Sequence, residues 1–367
     1  MIEKVLLSGS AEEIGAQLQK NFDRMLLSTQ KWAQILQSDP VPQTGLTPKD
    51  IVWRKNKAKL YRYVPSQDCK FSTPILIIYA LINKAYILDL IPGMSLVEHL
   101  VNEGFDVYLL DWGDFAWEDR NLGFGNLIYD YIARAAQKVC QISNSDDLTI
   151  LGYCMGGTIA SMYVALLSRN IKNLVLLSVP IDFENAGIAS IWMQAPDFDA
   201  DKIADTFELI PKDFIDVGVK MLRPVKNFWG TYTRLWKSID EGTPIIAWKA
   251  LNKWVNSNIN MPGEVFRHWI KDLYQENKLI KNQFIVNGKK VNLTKIKANL
   301  LVMAGQKDHL VLPSQCKAAL NYMSSPDKTY YEYPIGHGGL VFGNYAKKNV
   351  YHVISGWLAE HSARILI

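Results

Sequence analysis

Hydrophobic and polar positions follow a repeating pattern along most of the chain. From about residue 74, short and almost wholly apolar runs alternate with longer segments in which apolar residues recur every three or four positions. The short runs predict buried strands, and the longer segments predict amphipathic helices. The predicted strands are TPILIIYALI, FDVYLLDWG, LTILGYCMGG, IKNLVLLSVP, ANLLVMAGQKD and TYYEYP. This alternation predicts an α/β fold with a mostly parallel sheet and helices on both faces.

Two parts of the chain depart from this alternation. Residues 1–37 have apolar positions at helical spacing and end at the proline-rich SDPVPQTGLTP, which predicts a helical amino-terminal arm over residues 1–45. Residues 46–367 then form one large domain that begins with an edge hairpin in DIVWRKNKAKLYRYVP. The alternation stops again at about 183–290, which predicts an insertion above the sheet between the fourth and fifth parallel strands. Five of the 11 tryptophans lie in its residues 229–269, where they either fill a core or line a lid over a substrate.

Composition narrows the possible functions. The 367 residues are 49% hydrophobic, enough for a large core, and the net charge of +4 gives no indication of nucleic-acid binding. No apolar run is long enough for a transmembrane segment, and the amino terminus lacks the apolar core of a signal peptide, so we expect a cytoplasmic protein. The four cysteines, Cys69, Cys140, Cys154 and Cys316, are far apart in sequence, which predicts neither a disulfide framework nor a metal site.

One of these cysteines has an unusual context. Cys154 lies in LGYCMGG, between a predicted strand and a predicted helix, with small residues on both sides. Strand, sharp turn and helix form the nucleophile elbow of the α/β-hydrolase fold, in which glycines allow the tight turn. The amino terminus of the helix favours a thiolate, and the backbone amide of Met155 is placed to stabilise an oxyanion. The alternative is a small, inert buried thiol, but this context predicts a nucleophile.

A nucleophile of this kind needs a base and an acid, which follow it along the chain in the order acid, then histidine. His337 lies in the glycine-rich loop YPIGHGG after the last predicted strand and is the candidate base. Asp308 ends ANLLVMAGQKD and is the candidate acid, with Asp182, after the fourth parallel strand, as its rival. A second oxyanion amide is expected in the loop after the first parallel strand, at Ile82 or its neighbour Asn83.

Sulfur in place of a serine oxygen indicates the type of reaction. An acyl-cysteine is a thioester with nearly the group-transfer potential of an acyl-CoA, so the enzyme is loaded reversibly and the acyl group stays activated. A hydroxyl acceptor can then attack and form a more stable oxygen ester, provided that water is excluded. The cysteine therefore favours acyl transfer to an alcohol over hydrolysis.

Several segments together resemble a known family. YALINKAYILDL, GFDVYLLDWG, LGYCMGGT, KDHLV and GHGGLVFG occur in the same order as in polyhydroxyalkanoate (PHA) synthases. In this resemblance Cys154 matches the acyl-carrying nucleophile, Asp308 the acid and His337 the base. It implies polymerisation of (R)-3-hydroxyacyl-CoA into polyester with release of CoA. The expected substrate is the short-chain 3-hydroxybutyryl-CoA. CoA is then part of the substrate and a product, and no cofactor is implied.

The resemblance also implies partners and a location. The chain resembles the short, two-component synthases of class III or IV, which work with a second, smaller subunit, and GLTPKDIVWRKNKAKLYRY leans toward class IV. We expect a homodimer at the surface of a PHA granule, bound to a growing polyester chain. Basic side chains among residues 220–253 either contact CoA phosphates or form a solvated face.

Two other functions remain open on the sequence alone. A thioesterase or polyester hydrolase of the same fold would use the same catalytic residues, and only the fate of the acyl group would differ. A non-catalytic granule scaffold would retain the fold but leave Cys154 as an inert thiol.

Overall fold

The computed structural model describes residues 42–65, 68–167, 170–221 and 245–365, together with Gln19 and Asp23. The predicted arm, residues 1–45, therefore lies almost entirely outside the described residues.

A single large sheet organises the described part of the chain. Its eight strands have the order β1-β2-β4-β3-β5-β6-β7-β8. The strands are β1 (Lys49–Lys55), β2 (Ala58–Tyr63), β3 (Ile75–Ile78), β4 (Val107–Asp111), β5 (Leu148–Tyr153), β6 (Ile171–Leu177), β7 (Asn299–Gly305) and β8 (Lys328–Tyr333). Strands β3 to β8 are mutually parallel, and β1 and β2 form an antiparallel hairpin at the edge. The predicted parallel strands and the edge hairpin are confirmed.

Helices cover both faces of this sheet. All residues of β3 and β5 are buried, and because successive side chains of a strand point to opposite faces, both faces must be covered. The helices are α1 (Leu96–Asn102), α2 (Ala133–Ser143), α3 (Met155–Leu167), α4 (Ile188–Met193), α5 (Ala200–Phe207), α6 (Lys212–Met221), α7 (Ile245–Val255), α8 (Gly263–Arg267), α9 (Pro313–Tyr322), α10 (Asn344–Asn349) and α11 (Tyr351–Glu360). Helix α2 follows a π-helical segment, Asn126–Ile132, and α8 continues into another, His268–Gln275. No helix in the described ranges is long and apolar enough to cross a membrane.

Helices α4 to α8 lie between β6 and β7, within the predicted insertion. Two of its tryptophans, Trp248 and Trp254, line a cavity beside Cys154, whereas Trp269 packs edge-to-face on Phe183 with ring centroids 5.5 Å apart. Cavity lining and core packing thus occur at different tryptophans of the insertion. Trp229 and Trp236 lie outside the described residues.

Close packing of α3 against the sheet explains the glycines around Cys154. A β-carbon at Gly156 would lie 2.4 Å from the backbone of Tyr79 in β3's following loop, and one at Gly157 would lie 2.2 Å from a methyl group of Val179. A β-carbon at Gly152 would lie 2.3 Å from the Cα atom of Gly157. Helix α3 can start directly after β5 only because these positions carry no side chain.

We expect Gly156→Ala to lower the free energy of unfolding by about 2–3 kcal/mol, because the added methyl group meets rigid backbone. Urea unfolding of purified protein measures the change. Gly356→Ala is a matched control, because Gly356 lies in α11 and a β-carbon there meets nothing within 4 Å. It should stabilise the protein by about 0.5–1 kcal/mol, as alanine does in helix interiors. Equal effects of the two substitutions would contradict the close approach of α3 to Tyr79.

Candidate active site

Cys154 occupies the turn between β5 and α3 in a strained backbone conformation. Its φ angle is 52°, in the left-handed region that residues other than glycine rarely adopt. The turn is held on both sides: the Cys154 amide donates to the Leu177 carbonyl oxygen at 3.0 Å, and its carbonyl oxygen accepts from the Gly157 amide at 2.9 Å. The thiol is half-buried and faces a cavity. Strain maintained by the surrounding structure is typical of functional positions.

The structure brings His337 and Asp308 to the same place. His337 begins a short 3-10 helix, His337–Leu340, after β8, and its Nδ1 lies 2.7 Å from Oδ2 of Asp308. The other carboxylate oxygen of Asp308 accepts from the amides of Leu310 and Val311 at 2.9 and 3.1 Å. His337 lines the same cavity as the Cys154 thiol. Because Nδ1 contacts Asp308, Nε2 is the ring nitrogen available to the sulfur.

The pair is buried, and its two pKa values move in opposite directions. Burial opposes the charged form of Asp308, but the charge and hydrogen bond of His337 and the two backbone amides outweigh it, so the pKa of the carboxyl lies below its ordinary value of 3.8. Burial also opposes charge on His337, but Asp308 and Cys154 outweigh it and hold the imidazole pKa well above its ordinary value of 6.5. The imidazole is therefore a stronger base than it would be in water.

The rival acid has a different partner. Oδ1 of Asp182 accepts hydrogen bonds from the side-chain amide of Asn277 at 2.8 Å and from the backbone amide of Glu184 at 3.0 Å. The carboxylate against His337 is that of Asp308.

The predicted oxyanion amides lie beside the same cavity. Met155 is the first residue of α3, directly after the thiol, and is buried. Ile82 and Asn83 both line the cavity, and the Ile82 carbonyl oxygen accepts from the amide of Ile259 in the insertion at 3.1 Å. Stabilisation of an oxyanion by the Met155 and Ile82 amides stays a prediction.

The cavity has a volume of about 560 Å³ and two different walls. The sheet side carries the reactive groups, and the insertion contributes aromatic and aliphatic side chains together with a polar rim. The lining includes Tyr79, Ile82, Asn83, Tyr153, Cys154, His309, Leu310 and His337 on the first side and Asp216, Lys220, Trp248, Leu251, Asn252, Trp254 and Asn258 on the second. A thiol, a base and an apolar wall around one cavity suit acyl transfer in limited water.

Two buried tyrosines were missed by the sequence reasoning. The rings of Tyr79 and Tyr153 stack with centroids 5.6 Å apart, and the Tyr153 ring lies 5.2 Å from the imidazole of His337. The Tyr153 hydroxyl donates to the His337 carbonyl oxygen at 3.3 Å. Each tyrosine directly follows apolar strand residues and precedes a loop that lines the cavity. This position at the end of a buried strand is the sequence signal that could have identified them.

Among the described residues, no three His, Cys, Asp or Glu side chains are grouped to hold a metal ion. Comparisons with known proteins place the chain in a family. A family model for the α/β hydrolase fold matches residues 73–340, and one for the poly-beta-hydroxybutyrate polymerase (PhaC) N-terminus matches residues 17–100. The chain is 32% identical to the poly(3-hydroxyalkanoate) polymerase subunit PhaC of Synechocystis over 93% of its own length and 91% of the relative's. The chain belongs to the PhaC family.

Other PhaC relatives vary in length. The PhaC subunit of Thiocystis violacea is 32% identical, with 94% of this chain and 98% of the relative covered. That of Haloferax mediterranei is 34% identical, but the chain spans only 65% of its length. Among solved structures, a monoglyceride lipase variant from Saccharomyces cerevisiae aligns over 89% of this chain and all of its own, with a TM-score of 0.57 at 15% identity. That likeness shows the shared fold alone.

The opposite pKa shifts predict how the Asp308–His337 pair of this PhaC chain contributes to stability. The contribution of Asp308 is present above pH 3.8 and is lost as the pH falls through its lowered folded-state pKa. That of His337 is complete below pH 6.5 and is lost as the pH rises through its raised folded-state pKa. We expect Asp308→Asn to lower the free energy of unfolding by on the order of 3 kcal/mol between these values, and by less at higher pH.

Urea unfolding of wild type and variant across this pH range measures the difference. Asp182→Asn is the matched control, because Asp182 contacts Asn277 rather than His337. Its difference from wild type should not decline as His337 loses its proton. A difference for Asp308→Asn that stays constant with pH would contradict a carboxylate–imidazolium pair.

Proposed function

We propose that the protein polymerises (R)-3-hydroxyacyl-CoA into polyhydroxyalkanoate with release of CoA, and that short-chain 3-hydroxybutyryl-CoA is its substrate. Membership of the PhaC family supports this class of activity. The observation that carries the proposal is that Cys154 and His337 line one cavity while Asp308 holds Nδ1 of His337 at 2.7 Å.

Acylation is the first step. His337 accepts the proton of the Cys154 thiol, and the sulfur attacks the thioester carbonyl carbon of the substrate. The amides of Met155 and Ile82 donate hydrogen bonds to the oxyanion that forms. The carbon–sulfur bond to CoA then breaks, and the imidazolium returns the proton to the departing CoA sulfur. The acyl group is left on Cys154 as a thioester.

In elongation Cys154, which accepted the acyl group in the first step, becomes the acyl donor, and a hydroxyl group is the acceptor. His337 accepts the proton of a 3-hydroxyl group, whose oxygen attacks the Cys154 thioester. An oxygen ester forms, the bond to the cysteine sulfur breaks, and the proton passes from His337 to that sulfur. Asp308 holds the imidazole by Nδ1 and stabilises its charged form in both steps. The thiol is regenerated without a cofactor, and CoA serves only as part of the substrate and as product.

The partners are also proposed rather than observed. We expect a second, smaller subunit, a homodimer and a location at the surface of a cytoplasmic PHA granule.

Lys220 lines the cavity and is the described basic side chain best placed to contact CoA phosphates, although it also pairs with Asp216. Of the other basic residues in 220–253, Arg223, Lys226, Arg234 and Lys237 lie outside the described residues.

Incubation of the protein with 3-hydroxybutyryl-CoA tests the function. We expect CoA release to match the amount of insoluble polyester, with and without a smaller subunit added. Cys154→Ala should lower CoA release by about a thousandfold or more, because the acyl acceptor is gone. Cys154→Ser should also be poor, since a hydroxyl ionises far less readily and its ester is less activated. Free 3-hydroxybutyrate in place of polyester would identify a hydrolase, and unchanged activity of Cys154→Ala would overturn the assignment.

We also propose that the insertion, about residues 183–290, acts as a lid that keeps water from the acyl-cysteine. Trp248, Leu251 and Trp254 of α7 supply the apolar wall of the cavity. Trp248→Ala should open this wall and raise the ratio of free 3-hydroxybutyrate to polyester several-fold. Trp192→Ala is the matched control, because Trp192 lies in the insertion but is exposed and not part of the cavity. An unchanged ratio in Trp248→Ala would show that this wall does not exclude water.

A further inference from the structure

Two hydrogen bonds order the loop after β3 beside the cavity. The Tyr79 ring is 1% exposed, and its hydroxyl donates to Oδ1 of Asn83 at 2.8 Å. The indole N–H of Trp254, in α7, donates to the carbonyl oxygen of Lys84, the next residue, at 2.8 Å. Asn83 itself lines the cavity that contains Cys154.

The hydrogen bond from Tyr79 sets the orientation of the Asn83 amide. The Tyr79 hydroxyl has a single proton, and the atom of Asn83 that receives it is the side-chain oxygen. The amide nitrogen, with its two N–H groups, is left to face the cavity, and it makes no hydrogen bond to another described residue.

A 3-hydroxyacyl group bound to Cys154 needs such a donor. Its hydroxyl group would lie in a space walled by Trp248, Leu251 and Trp254, where a polar group without a partner costs free energy. Two other polar side chains of the lining already have partners: the Tyr153 hydroxyl donates to His337, and Asp216 accepts from Lys220 and Asn258. The thioester oxygen is assigned to the backbone amides of the elbow and of Ile82.

We propose that Asn83 binds the 3-hydroxyl oxygen of the acyl group through its Nδ2 atom, and that Tyr79 positions it. The proposal rests on the function proposed above and extends it to substrate selection. Donation to the oxygen leaves the hydroxyl hydrogen directed away from Asn83 and available to His337. A 3-hydroxyacyl-CoA is thereby distinguished from an acyl-CoA that lacks the hydroxyl group.

Binding to Cys154→Ala protein, which cannot form the acyl-enzyme, isolates recognition from chemistry. Calorimetric titration gives the Kd of 3-hydroxybutyryl-CoA and of butyryl-CoA, which differ only in the hydroxyl group. We expect the first to bind about tenfold more tightly, as one buried hydrogen bond allows. Asn83→Ala in the same background should reduce this preference to less than about twofold, and Asn83→Ser, which keeps a smaller donor, should retain part of it. Asn349→Ala, on the surface helix α10, should leave it unchanged.

Tyr79→Phe tests the positioning role separately, because it removes only the hydroxyl. It should lower the preference by about two- to fivefold when Asn83 is present and have no further effect on the preference in Asn83→Ala. A purely structural role of Tyr79 would instead weaken both ligands equally in both backgrounds.

Three other results would each overturn either this proposal or the proposed function. A preference that survives Asn83→Ala overturns the proposal. An equal loss of affinity for both ligands places the contact on a part they share, such as the thioester or CoA, and also overturns it. If the Cys154→Ala protein binds neither CoA ester, the proposed function itself fails.

Discussion

The site depends on one packing constraint, the close approach of helix α3 to the loop after β3. A β-carbon at Gly156 would overlap the backbone of Tyr79, so the helix reaches its position only with glycine there. This approach forces the chain to turn sharply at Cys154, which adopts a φ of 52°. The same turn directs the thiol into the cavity and leaves the Met155 amide at the helix start. The positions of the Cys154 thiol and the Met155 amide are thus consequences of one contact between backbone segments.

The two walls of the cavity come from different parts of the chain, the sheet loops and the insertion, and carry different kinds of side chain. Loops at the ends of the parallel strands carry Cys154, Asp308 and His337, as in other proteins of this fold. The apolar side chains of α7 come from the segment between β6 and β7. The fold alone is shared with lipases, and this chain combines it with a cysteine at the elbow and an apolar cavity wall from α7.

Asp308, Tyr79 and Tyr153, three buried polar residues near Cys154, each have hydrogen-bond partners. Asp308 receives hydrogen bonds from two backbone amides as well as from His337, which keeps a carboxylate stable at 2% exposure. The stacked tyrosines connect three loops, since Tyr153 precedes Cys154 and bonds to His337, while Tyr79 bonds to Asn83. Such a network limits the motion of the groups that must meet the substrate.

Local patterns in the sequence determined the fold and indicated Cys154 as the candidate nucleophile, because strand periodicity and the glycines around Cys154 depend only on near neighbours. The order of strand, elbow, Asp308 and His337 along the chain followed from the same patterns, and the edge hairpin was predicted from them too. Tertiary structure alone decided that His337 contacts Asp308 while Asp182 contacts Asn277, since both carboxylates follow parallel strands. It also separated Trp248 and Trp254 in the cavity wall from Trp269 in a packed core. These distinctions depend on contacts between residues far apart in sequence, which no local pattern encodes.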